Sequence, residues 1–331
     1  MEYTRRNFLT FGTTTLLGGT LLSACNNQQQ AGKTNYTIAF VTGLAGAAFF
    51  ETIRLGGQEE AKAQMVALKF QAPKDYSALE QINIVEALLA QKPDGLVIAP
   101  NDAHMLLPSL QKCHDAGIPV VTVDSSIGDG NYRNGNVTFP ISYIGSDNEQ
   151  SGYIAGRTLI KALAGKGNIY VQDASSGAST LHERELGFEK AIAETRGTVK
   201  IISTNYDGGD QNKATVQTMA ALQSLPIGGI FGANIFSAAG AVQAVKNLNK
   251  QGWIQFAYFD AWPPAIVDLR DGLVNFVISQ DPYSMGRLAV RTIVRFLQGE
   301  TVEKRIVTKN MVITRDTVDT PQAQAVIYRT S

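Results

Sequence analysis

Between residues 36 and 298, apolar runs rich in β-branched residues alternate with segments of helical periodicity, and that alternation most narrows the folds open to the chain. Strands are predicted at 36–42, 66–71, 95–99, 119–123, 141–145, 168–173, 199–203, 228–233, 254–259 and 274–279. Helical patterns lie between them at about 49–65, 77–91, 103–116, 147–164, 182–195, 210–224, 236–251, 263–271 and 283–298. Strands separated in this way need right-handed βαβ crossovers, which makes the sheets parallel. About ten strands exceed what one compact α/β domain usually carries, so two sheets are expected. The punctuation repeats as well: Ser224-Leu225-Pro226-Ile227-Gly228 stands in the second half where Gln91-Lys92-Pro93-Asp94-Gly95 stands in the first. Two similar three-layer α/β lobes with a cleft between them follow.

Within this pattern 118–126 is the most informative run. Led in by Gly117 and Pro119, it ends abruptly on Asp124, Ser125 and Ser126. This reads as a buried parallel strand whose carboxyl end delivers acceptors to a crevice, where open α/β sheets bind ligands. Segments 40–50, 182–188, 231–234 and 256–280 read as further walls of that crevice.

At 331 residues, with 44% hydrophobic and 18% charged content, the chain is long enough for two cores. Its start, Thr4-Arg5-Arg6-Asn7-Phe8-Leu9, precedes a weakly apolar Gly/Thr-rich stretch and Leu22-Ser23-Ala24-Cys25. The twin arginines resemble a Tat export signal and the tetrapeptide resembles a lipobox. Residues 1–24 are therefore expected to be a lipoprotein signal, with Cys25 lipidated as the membrane anchor and 25–35 forming a tether. Residues 11–24 are too few and too polar to span a bilayer. Removing Glu2, Arg5 and Arg6 takes the formal charge from 0 to −1, and nothing favours nucleic acid.

Cys113 is then the remaining thiol; its helical context reads as a small buried hydrophobe, and no disulfide is expected. His104, His114 and His182 form no metal-ligand spacing with a carboxylate or thiol. The Gly/Ala-rich loop 43–48 lacks the Lys-Ser/Thr of a phosphate loop, and no cofactor is expected.

Motifs spread over nearly the whole chain carry a specific resemblance: Phe40-Val41-Thr42 with Phe49-Phe50; 93–100; 117–124; Gly145-Ser146-Asp147-Asn148 with Gly152; Arg184-Glu185-Leu186-Gly187-Phe188; Ala233-Asn234; Phe259-Asp260; and Ser279-Gln280-Asp281-Pro282. In this order they resemble the solute-binding proteins of bacterial ABC importers, of the type I periplasmic-binding fold shared by ribose- and galactose-binding proteins. The resemblance implies two lobes joined by a three-strand hinge. Residues 36–146 plus 281–309 would form the N-terminal lobe, and 147–280 plus 310–331 the C-terminal one. It further implies a monomeric, non-enzymatic receptor that closes over a small sugar and presents it to a membrane permease.

A sugar offers vicinal hydroxyls that donate and accept, around a ring with mildly apolar faces, so its site needs carboxylates, amides and aromatic walls. By resemblance Asp124 and Asp260 accept from opposite lobes, Arg184 donates, and Asn234 and Gln280 do both. Ser125 adjoins them, Phe49 and Phe50 both lie near the ligand with at least one as a stacking face, and Trp262 is a candidate for a second. Taken singly, each has a structural reading: Asp124 as a cap, Arg184 paired with Glu183, Glu185 or Glu189, the aromatic residues as core. Asp147 reads as structural.

The pattern also departs from ribose-binding proteins. Ala47-Ala48 and Ser125 stand where those carry Asn and Arg, and Gly208-Gly209 falls near a missing aromatic. A pentose, a hexose, a polyol or another small polar molecule stays open. A ligand sensor for a signalling receptor is the alternative role, and an enzyme lacks a nucleophile–base pair.

Overall fold

A computed structural model describes residues 35–175 and 177–329. The expected signal, Cys25 and the tether up to residue 34 lie outside the described residues. The chain runs β1 (Thr37–Val41), α1 (Ala48–Ala63), β2 (Ala67–Gln71), α2 (Ala78–Gln91), β3 (Gly95–Ile98), α3 (Leu107–Asp115), β4 (Val120–Val123) and β5 (Ser142–Ser146). It continues through α4 (Asn148–Ala162), β6 (Gly167–Asp173), α5 (Ser179–Ala193), β7 (Val199–Tyr206), α6 (Gln211–Ser224), β8 (Gly229–Gly232), α7 (Ile235–Asn247), β9 (Gln255–Phe259), α8 (Pro263–Arg270) and β10 (Phe276–Ser279). It ends with α9 (Pro282–Leu297), β11 (Arg305–Thr308), β12 (Met311–Ile313) and α10 (Pro321–Ala325).

The strands form two six-stranded sheets, ordered β11-β5-β4-β3-β1-β2 and β12-β10-β9-β8-β6-β7. Replacing β1–β5 by β6–β10 and β11 by β12 converts the first order into the second, so the pseudo-repeat seen in the sequence is a repeat of topology. Pairing is parallel apart from β12, which runs antiparallel to β10. The short β11, β12 and α10 have no counterpart among the predicted elements. The chain passes between the sheets three times, after Ser146, Ser279 and Thr308. Asp147 and Asp281 stand at the first two passages and cap α4 and α9, accepting from the N–H groups of Gln150 and Ser284. Asp147 is thus structural, as read.

Each strand is apolar because both of its faces are covered. In β1, Ile38 and Phe40 pack with α1 and α9, while Ala39 and Val41 pack with α2 and α3. In β6, Ile169 and Val171 meet α4 and α5, while Tyr170 meets α6, α7 and α8. Cys113 lies inside the α2–α3 layer, where burial pushes its thiol up to about 11. Helix α3 begins a turn later than the 103–116 pattern predicts, because Pro108 lacks an N–H and fits only the first turn.

Two helix pairs pack backbone to backbone through glycine. A Cβ at Gly56 on α1 would sit 2.0 Å from the Tyr283 carbonyl oxygen, and one at Gly286 on α9 would sit 1.9 Å from that of Ile53. In the other lobe a Cβ at Gly152 on α4 would sit 2.0 Å from the Arg184 carbonyl oxygen, and one at Gly187 on α5 would sit 1.8 Å from that of Glu149. The second pair fixes where the backbone of Arg184 lies.

Candidate functional site

Strands β4 and β9 hold equivalent places in the two sheets, and each ends on an aspartate. The local geometry is the same twice. Asp124 and Asp260 both adopt left-handed backbone, at φ 64° and 84°. Their N–H groups each donate at 2.8 Å to the neighbouring strand, to the Ile144 and Ile278 carbonyls. Asp tolerates this region better than most residues, and such strain concentrates where side chains must be aimed. Both carboxyls are buried, and both line one cavity of about 70 Å³ at the carboxyl ends of the strands.

Arg184, on α5, is 3% exposed and lines the same cavity, so it is not a surface ion pair with its glutamate neighbours. It donates from Nε to Asn148 Oδ1 and from one terminal nitrogen to the Ala233 carbonyl, each at 3.0 Å, and its guanidinium lies 3.8 Å over the Phe259 ring. That leaves further N–H donors on the fork. Gln280 donates from Nε2 to Asp260 Oδ1 at 2.9 Å, while its Oε1 is buried without a hydrogen-bond partner. An orphaned acceptor at a cavity wall is a vacancy for a donor. Asn234 also reaches the cavity, but its amide is engaged. Its Oδ1 caps α7, and its Nδ2 donates to Asp173 Oδ1 at 3.0 Å and to Ser237 Oγ at 2.8 Å.

Charge in this buried site is costly. Burial pushes Asp124 up to about 7; the Arg184 guanidinium opposes that rise and the negative charge of Asp260 adds to it. Burial likewise lifts Asp173, at the end of β6, to about 8, with Glu185 adding to the rise. Asp173 Oδ2 is buried without a partner.

Phe49 and Phe50 both line the cavity, their rings edge to face at 5.3 Å. Tyr76 and Phe236 complete the aromatic lining, and neither stands out in the sequence. Tyr76 lies in a polar loop, and Gly209 of the other lobe backs onto it; a Cβ at Gly209 would lie 3.5 Å from the Tyr76 Cβ. The loop that seemed to lack an aromatic residue therefore faces one from across the cleft.

Two sequence candidates do not line the cavity. Trp262 donates its indole N–H to the Tyr258 hydroxyl at 2.6 Å and borders a separate concavity with Pro263 and Pro264. The left-handed turn at Asp260 ends strand alternation, so a spacing of two no longer puts Trp262 on the side of Asp260. Ser125 turns inward, donating to Asp124 Oδ2 at 3.3 Å. A larger open groove, about 950 Å³, lies at the opposite end of β4 beside Gly117, Ile118 and Pro119, and none of the buried acids reaches it. Among the described residues no cluster of three His, Cys, Asp or Glu side chains is placed to hold a metal ion.

A sequence profile described as the periplasmic binding protein domain matches residues 38–301. The chain belongs to this family. The ribose import binding protein of Bacillus subtilis is 26% identical over 296 residues, 86% of this chain and 92% of the relative. Among solved structures, an ABC transporter solute-binding protein from Agrobacterium vitis, bound with α-D-tagatopyranose, matches with a TM-score of 0.86 and 35% identity, covering 89% of this chain and 99% of that one. Another from the same organism, with bound D-fucose, gives 0.83 and 28%, covering 88% and 100%. The type I periplasmic sugar-binding class named by the motifs is thus the class the comparisons find.

Proposed function

We propose that the protein is the extracytoplasmic receptor of an ABC importer for one monosaccharide or polyol, enclosed when the lobes rotate about the three inter-sheet passages. The observation that carries this reading is the pair of strand-terminal acids, one from each sheet, facing a single small cavity. Solute hydroxyls donate to Asp124, Asp260 and the orphaned Oε1 of Gln280, and Arg184 donates back. Phe49, Phe50, Tyr76 and Phe236 cover the ring. Contacts to both lobes exist only when the cleft is shut, so binding shifts the open–closed balance by its differential affinity. The lobes divide at 146/147, 280/281 and 309/310, and a diacylated Cys25 holds the receptor at the membrane beside its permease. Ala47-Ala48 and Ser125, which stand where ribose-binding proteins carry Asn and Arg, set the donor set apart from the one used for ribose.

The test is a thermal-shift screen of D-ribose, D-allose, D-arabinose, D-tagatose, D-fucose and polyols. A solute at a hundred times its Kd stabilises by about 2.7 kcal/mol, raising Tm by roughly 5 °C in a chain of this size. No shift with any of them would remove the carbohydrate reading.

A further inference from the structure

The carboxyl-terminal segment reaches the site from behind. After α10, the Tyr328 N–H donates to the Ala261 carbonyl at 2.9 Å, and its hydroxyl donates to Asp260 Oδ1 at 2.6 Å. The Tyr328 hydroxyl oxygen in turn accepts from the Gln280 backbone N–H at 3.4 Å. The ring is buried and packs 5.5 Å from the Phe49 ring. The next residue clips onto α1: the Arg329 N–H donates to Thr52 Oγ1 at 2.8 Å, and its carbonyl accepts from that hydroxyl at 3.1 Å. The Arg329 guanidinium stands 4.3 Å over the Tyr283 ring. Tyr328 thus touches the acid, the backbone N–H of Gln280 and the aromatic wall of the cavity, and the segment is tied to both lobes.

Resting on the monosaccharide reading above, we propose that Tyr328 is a positioning residue that sets the specificity of the solute site by fixing the orientation in which the Asp260 carboxylate meets the solute. Two donors, Gln280 Nε2 and the Tyr328 hydroxyl, converge on Oδ1, and no described residue donates to Oδ2. The carboxylate cannot swing out of its plane without losing both bonds, so its second oxygen is held in one direction for the solute. The same arrangement commits Gln280 Nε2, which leaves Oε1 as that side chain's free acceptor. Among the described residues the Asp124 carboxyl receives only the long bond from Ser125, so the C-terminal lobe carries the rigid half of the site and the N-terminal lobe the adaptable half. Burial holds the Tyr328 phenol well above its ordinary range, and the negative charge of Asp260 adds to this, so it stays a donor at working pH.

Tyr328→Phe keeps the ring and the Arg329 clip while removing the donor. Calorimetric titration with D-ribose, D-allose, D-arabinose, D-tagatose and D-fucose is expected to show the tightest binder weakened about tenfold, with a narrower spread of affinities across the panel. In an Asp260→Ala background the same substitution changes affinity less than twofold. Unchanged affinities, or an equal loss in both backgrounds, overturn the proposal. A sugar-free readout separates it from the reading it rests on. The side-chain carboxyl carbon resonance of Asp260, identified by its loss in Asp260→Asn, shifts in Tyr328→Phe; an unmoved resonance refutes the role of Tyr328. A shifted resonance in a protein that binds none of the five sugars upholds the hold on Asp260 and refutes the monosaccharide reading instead.

Discussion

An ionised Asp124 accepts a solute hydroxyl more strongly than a protonated one, and burial has lifted its carboxyl to about 7. A donated hydroxyl stabilises the charged form and lowers that value in the complex, so binding releases a proton in the neutral range. Affinity is therefore expected to be full above about pH 7 and to fall by up to tenfold per pH unit on acidification. Asp124→Asn should bind more weakly and lose this dependence; calorimetry from pH 5 to 8 measures both. The sign for folding is opposite to that of an ordinary paired carboxylate. Between the unfolded value near 4 and the folded value of about 7, the folded chain holds a proton the unfolded chain has lost, so this residue's contribution to stability declines as pH rises through the window.

At the scale of elements, glycine decides how close the helices come. Gly152→Ala places a methyl against the Arg184 backbone, and α5 must retreat from α4. Overpacking of this kind is expected to cost about 3 kcal/mol, read by urea unfolding, and to weaken solute binding because Arg184 moves with α5. Gly286→Ala, in the equivalent packing of α1 on α9, should cost about as much stability while leaving the backbone of Arg184 in place. Loss of stability without loss of affinity in Gly152→Ala would show that α4 does not position the guanidinium. Gly152 was legible as part of a motif and Gly286 was not, and the reason for either is hidden, since a close approach involves a partner helix more than thirty residues away. The strands were legible because burial on both faces leaves a continuous apolar run. Tyr76 and Phe236 were not: one sits among polar loop residues, the other reads as the core of α7, and only the docking of two lobes brings them together. Tyr328 was hidden for the same reason, as its partners Asp260 and Phe49 are remote in sequence. Trp262 misled because the sequence gives no sign that the backbone turns left-handed at Asp260.

For the whole molecule, a duplicated topology makes a site that neither lobe contains alone. Each sheet brings an acid to the carboxyl end of its fourth strand, and the cavity joins them. The most direct measurement is calorimetric titration of the best monosaccharide from the thermal screen into the wild type, Asp124→Ala and Asp260→Ala. The account predicts one molecule bound per chain and a loss of at least tenfold in each variant, about 1.5 to 3 kcal/mol for a hydrogen bond to a charged group. Wild-type affinity in either variant would contradict a site shared between the two lobes.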